Sequence, residues 1–163
     1  MIYILTDDIE TGKSQALLSW AIGREAVYGV LSPRNNLDQR YFLDMSTSVP
    51  FRMEANGEDE DIILVGRYKF LQSAFDKAND IIKNSAENTG SGFILIDEIG
   101  KLELRSEGLH VSALIAFRKA MHHQELHVIV IVRTSLINEV IEKYKIINPK
   151  LITRDQLSSL FIE

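Results

Sequence analysis

The chain has 163 residues and a formal net charge of -5, with 45% hydrophobic and 25% charged residues, the size and composition of one globular domain with its own core. The excess of acid argues against a general nucleic-acid or anionic-membrane surface, and no segment approaches the roughly 20 apolar residues that span a bilayer. The absence of cysteine excludes a disulfide framework, a thiolate zinc site and cysteine catalysis, and it fits a reducing compartment. The first apolar run, "IYIL", lacks the basic flank and longer apolar core of a signal peptide. We therefore expect a single cytoplasmic domain over residues 1–163.

A strand over Ile2 to Leu5 leads into a polar turn, then Gly12-Lys13-Ser14, then a helix with Ala16, Leu17, Trp20 and Ala21 at helical spacing. "YGVLSP" (Tyr28 to Pro33) reads as a second strand stopped by proline. "RNNLD" has turn chemistry, and "RYFLDM" and "VPFRME" pair as a hairpin. The acidic "NGEDED" is a solvated turn, and "DIILVGRYKF" a further extended run. A helix follows with Leu71, Ala74, Phe75, Ala78, Ile81 and Ile82 on one face. "NTGSG" breaks the chain before "FILIDEIG", an apolar run ending in two acids that reads as a strand buried on both faces. Beyond it come a helix with Leu114, Phe117 and Met121 along one side, the apolar strand "LHVIVIVRTS", the helix "LINEVIEKY", short extended pieces in "IINPKLIT", and a closing helix in "RDQLSSLFIE". Apolar strands alternating with amphipathic helices predict an α/β fold, a mainly parallel sheet with helices on both faces. The region from about Tyr28 to Tyr68 is poorer in helix and reads as a small antiparallel insertion or edge after the first helix.

A strand, Gly-Lys-Ser and a helix in that order is the end of a phosphate-binding loop. There the backbone N–H groups and helix N-terminus hold phosphates, the lysine reaches the outer ones, and the hydroxyl supports Mg²⁺. Thr11, Gly12, Lys13, Ser14 and Gln15 are the candidate binding residues, with Ser14 as a metal ligand and Lys13 also catalytic. Alone, the motif is a weak signal and reads more simply as a turn glycine followed by a surface lysine. The second half of the signal is "ILIDEIG": ligands bind at the C-terminal ends of parallel strands, so Asp97 is placed to support Mg²⁺ and Glu98 to polarise an attacking water. The other reading of these two acids is a cap on the next turn. Together the two motifs favour a nucleoside triphosphate as ligand.

"ILIDEIGKLEL" (Ile94 to Leu104) resembles the "IDEIG-x-MEL" segment of the small cancer-related nucleoside triphosphatase family. "GVLSP", "VGRYKF" and the near-terminal "TRD" resemble further stretches of it in the same order. The resemblance implies a RecA-like P-loop NTPase fold, Mg²⁺ dependence and slow hydrolysis of ATP, GTP and other nucleoside triphosphates to the diphosphate and phosphate. It puts Gly12, Lys13 and Ser14 on phosphates and metal, and Asp97 and Glu98 at metal and water. Glu103 and Arg154 match motif positions without an assigned role.

The loop departs from the family pattern, with Asp7 and Glu10 where glycines stand and Ser14-Gln15 where two hydroxyl residues are usual. Aspartate tolerates a positive φ better than most residues. Like charges about 4 Å apart, however, repel by roughly 1 kcal/mol in water and about 4 near a protein surface. If Asp7, Asp8 and Glu10 face solvent, binding survives; if not, the chain is a degenerate member that keeps the fold as a binding or scaffolding module without turnover.

Three further features are open to two readings, and a fourth to one. His122, His123 and His127 form a metal cluster only if the helix continues through them, whereas the segment reads as leaving a helix for a strand. Arg67, Tyr68 and Lys69 suit a base or phosphate, or are an exposed edge. Thr134 senses a γ-phosphate or is a strand-end hydroxyl. Trp20 and Phe75 are core.

Overall fold

The computed structural model describes residues 1–7 and 12–160. Its elements are β1 (Ile2–Leu5), α1 (Lys13–Ala21), β2 (Val27–Leu31), β3 (Tyr41–Asp44), β4 (Val49–Arg52), β5 (Ile62–Val65), β6 (Tyr68–Leu71), α2 (Gln72–Asn88), β7 (Gly92–Ile99), α3 (Lys101–Leu104), α4 (His110–His122), β8 (Leu126–Val132), α5 (Ile137–Tyr144) and β9 (Lys150–Ile152). Seven strands form one sheet in the order β4-β3-β2-β7-β8-β1-β9. The strands from β2 to β9 in that order are parallel, and β3 and β4 extend the β2 edge antiparallel.

The period-2 geometry of a strand sorts the apolar runs onto two faces. Ile2 and Ile4, Ile94 and Ile96, and Val128, Val130 and Val132 pack into the larger core with α2, α4 and α5. Tyr3, Leu5, Leu95, Ile129 and Ile131 pack into the second core with α1. Leu17, Trp20 and Ala21 supply the buried face of α1, and the Trp20 ring meets Phe93 edge-on with centroids 5.1 Å apart. Gly29 of β2 has φ +90°, and a Cβ there would overlap the Leu95 carbonyl oxygen, so β2 lies against β7 only because position 29 lacks a side chain.

The expected α/β architecture with helices on both faces is present, with three local differences. "DIILVGRYKF" is a two-stranded hairpin, β5 and β6, in its own sheet, turning at Gly66 and Arg67. A continuous apolar and β-branched run hides a turn that only its glycine marks. On α4 the buried face is Ala113, Ala116, Phe117 and Ala120, with Leu114 and Met121 half-buried at its flank; alanines are what let α4 pack closely on α2. The tail forms 3-10 turns over Arg154–Ser159 in place of the expected helix. There the Ser158 and Ser159 hydroxyls donate to the carbonyls of Asp155 and Gln156 and compete with helical bonding.

Candidate active site

The C-terminal ends of β1, β2, β7, β8 and β9 lie along one side of the sheet, and the ends of β7 and β8 with the segments leaving β1 and β2 line a cavity of about 770 Å³, within the range of small-molecule sites. At the β1 end, Gly12 precedes α1 in the left-handed region, φ 71° and ψ 36°, a conformation costly for other residues. Lys13, the first helical residue, and Ser14 and Gln15 follow it along the wall. Thr11, Asp8 and Glu10 lie outside the described residues.

Asp7 is the one loop acid that is described. Its carboxylate accepts from the backbone N–H of Arg154 at 3.0 Å, tying the β1 end to the β9 end, and it is not among the cavity-lining residues. Thr134, just after β8, ties the β8 end to the same loop: its hydroxyl lies 2.9 Å from that of Thr6 and donates to the Asp7 carbonyl at 3.3 Å. Arg154 Nη1 lies 3.8 Å from where a Cβ on Gly12 would stand.

The strand β7 changes register between Ile96 and Ile99. Such an irregularity breaks the alternation and re-aims side chains next to a site; here it falls on Asp97 and Glu98. Asp97 is 3% exposed, and its Oδ2 accepts from the Ser32 N–H of the β2 end at 2.8 Å. Burial pushes its pKa up to about 6, against the opposing hydrogen bonding of the Ser14 hydroxyl and the Ser32 N–H. The candidate phosphate-loop serine and the candidate metal carboxylate are therefore neighbours, although 83 residues apart in sequence.

Glu98 reaches the cavity between two arginines. Arg133, immediately after β8, donates from Nε to Oε1 at 3.0 Å, and Arg40 Nη2 lies 4.0 Å from Oε2. Neither arginine is marked by a motif; Arg133 is legible only from the rule that residues just beyond buried parallel strands face the crevice. Arg40 is placed by a tight loop in which the Asn35 Oδ1 accepts from the N–H groups of Leu37 and Gln39 and Arg34 and Arg40 face each other as a bridge.

The hairpin of β5 and β6 forms the outer wall. Arg67 and Tyr68 line the cavity with Arg34, and both guanidinium groups donate to the Tyr68 hydroxyl, Arg67 at 3.1 Å and Arg34 at 3.4 Å. These bonds, Arg67's first, pull the Tyr68 pKa down. Lys69, next along β6, points elsewhere and is exposed. Among the described residues the cavity is lined by five cations, Lys13, Arg34, Arg40, Arg67 and Arg133, against two carboxylates, Asp38 and Glu98. In a chain of net charge -5, that concentration selects anions.

Glu103 is structural. It is 3% exposed, and its carboxylate accepts from the N–H groups of Gly100 and Leu109, each at 2.9 Å, binding the turn after Glu98 to the start of α4. Burial raises its pKa. The histidines do not gather: His122 ends α4 and His127 is within β8, and among the described residues no group of three His, Cys, Asp or Glu is placed to hold a metal. Trp20 and Phe75 are buried core at 8% and 4% exposure. Among the described residues no helix is long and apolar enough to cross a membrane.

A mostly parallel sheet whose first strand feeds a glycine, lysine and serine at a helix start, with an acidic pair ending a buried neighbouring strand, is the architecture of a P-loop NTPase. The chain belongs to the NTPase family, whose model matches residues 50–160. That span contains Asp97 and Glu98 and begins beyond Gly12, Lys13 and Ser14. The crystal structure of THEP1 from the hyperthermophile Aquifex aeolicus shares the fold, with a TM-score of 0.74 and 19% identity over 99% of this chain and 97% of that one. No curated protein matches the chain at a significant level.

Proposed function

We propose that this protein is a one-domain, cytoplasmic member of the small cancer-related branch of the family, and that it hydrolyses nucleoside triphosphates such as ATP and GTP to the diphosphate and phosphate with Mg²⁺. The observation that carries the reading is the meeting of Ser14, which lines the cavity beside Lys13, with the buried carboxylate of Asp97. A hydroxyl beside a buried carboxylate is a hard-oxygen donor set. It suits Mg²⁺, which takes one or two protein ligands and completes its shell with phosphates and water. When bound, Mg²⁺ supplies charge neutralisation on the outer phosphates. The chain's own groups do the rest. The N–H groups around Thr11 and Gly12 and the start of α1 hold phosphate oxygens, Lys13 neutralises the outer phosphates, and Gln15 borders the phosphate end. Glu98 orients a water whose oxygen bonds to the γ-phosphorus as the bridging P–O bond breaks. The bond's electrons leave with the diphosphate, and Glu98 takes the water's proton.

A second reading is a degenerate phosphate loop that binds or scaffolds without turnover. It draws on Asp7 in place of a loop glycine and on the ion pair that engages Glu98 with Arg133. Phosphate release from Mg-ATP and Mg-GTP separates the two. Hydrolysis requires release by wild type that falls at least tenfold in Lys13→Ala and in Glu98→Gln; equal background rates in all three proteins reject it.

A further inference from the structure

The outer wall holds more positive charge than a single nucleotide in the phosphate loop explains. Arg34 and Arg67 converge on one phenolic oxygen, within 3.4 Å and 3.1 Å of it. Among the described residues, only Arg34 of the two has a carboxylate in an ion pair, Asp38 at 2.8 Å. A neutral hydroxyl does not offset the repulsion between two guanidinium groups, whereas a phosphate dianion does, and arginine forks match its geometry.

The position of this wall in the sheet order matters. The phosphate loop leaves β1, and Glu98 ends β7, two strands away across β8, or roughly 10 Å at about 4.8 Å per strand. Arg34 lies beyond β2, one strand further on the same line. The arginine wall is therefore on the β2 side of Glu98 and the loop on the β1 side, along one cavity. A second, mostly apolar cavity of about 130 Å³, bordered by Phe42, Phe70 and Phe75, shares Ser32, Arg40, Glu98 and Arg133 with the first. Its volume is close to the roughly 150 Å³ that accommodates benzene in an engineered protein cavity.

We propose that Arg34, Arg67 and Tyr68 form a second anion site that takes a phosphomonoester with a small apolar or ring group, bound across Glu98 from the nucleotide. The proposal rests on the nucleotide occupying the phosphate loop, and the two claims fail separately. The probe is phenyl phosphate, titrated by calorimetry into protein saturated with a non-hydrolysable Mg-ATP analogue. The expected result is one saturable site per chain, weakened at least tenfold in Arg34→Ala/Arg67→Ala, while the analogue's affinity stays within threefold. In the free protein Lys13→Ala should weaken the analogue and leave phenyl phosphate binding unchanged.

Absence of phenyl phosphate binding to wild type overturns the proposal, as does equal affinity in the arginine variant. Parallel loss of the analogue in that variant also overturns it, by assigning the wall to the nucleotide. Loss of phenyl phosphate in Lys13→Ala does so too, by assigning the probe to the loop. If the analogue itself does not bind wild type, the proposed function falls, and the second site is judged on the free protein by the same arginine comparison.

Discussion

Replacing Asp97 with asparagine separates the cost of its charge from the hydrogen bonds it makes, because the amide oxygen still accepts from Ser32. Burial raises the carboxyl from 3.8 to about 6. The folded protein thus binds this proton more tightly than the unfolded chain, so its stability falls as pH rises from about 4 to about 6 and stays lowered above that window. About two pH units correspond to about 3 kcal/mol. In EDTA at pH 7, Asp97→Asn should therefore be more stable than wild type by up to that amount, or roughly 6 to 12 °C in Tm for a chain of this length. The gain should shrink to about 0.5 kcal/mol near pH 4, where the folded-state carboxyl is protonated and the unfolded one roughly half so, and vanish only well below that. Saturating Mg-nucleotide should reverse the order at pH 7, since only the carboxylate favours the cation. Urea denaturation at pH 4, 5.5 and 7, with and without Mg-nucleotide, measures all three. A variant less stable than wild type at pH 7 in EDTA, or an advantage that persists unchanged at pH 4, would refute the reasoning.

Gly29→Ala forces a Cβ onto the Leu95 carbonyl oxygen at a backbone angle that side chains avoid, and should cost at least about 3 kcal/mol in urea unfolding. Glu103→Gln turns one of two accepting oxygens into a donor that faces a backbone N–H of Gly100 or Leu109. It should lower stability by about 1–3 kcal/mol, with the urea midpoint as readout.

The sheet was legible because β7 and β8 are buried on both faces and must be apolar throughout, and because a strand that ends in Asp97-Glu98 contradicts that pattern where the crevice begins. The turn at Gly12 into the helix that begins at Lys13 was legible because that motif is local in sequence. Arg40 was not, and Arg133 only by its place just beyond a buried strand, because their partner Glu98 is 58 and 35 residues away and an arginine carries no signal of what it faces. The β5 and β6 hairpin was missed for a different reason: its strands keep one apolar character through Gly66, so periodicity does not see the turn. Asp7 reads from sequence as a charge in the wrong place, and only the fold brings the Arg154 N–H within reach of it. Glu103 lay in the most recognisable segment, yet its two backbone bonds depend on α4 packing behind it.

Whether a loop that begins with Asp7 still holds a triphosphate is decided by calorimetric titration of Mg-ATP into wild type. The carboxylate is bonded to Arg154 and Gly12 keeps its left-handed turn, so one saturable site per chain is expected, lost at least tenfold in Lys13→Ala. No saturable heat at millimolar Mg-ATP, or equal binding by Lys13→Ala, would contradict the account.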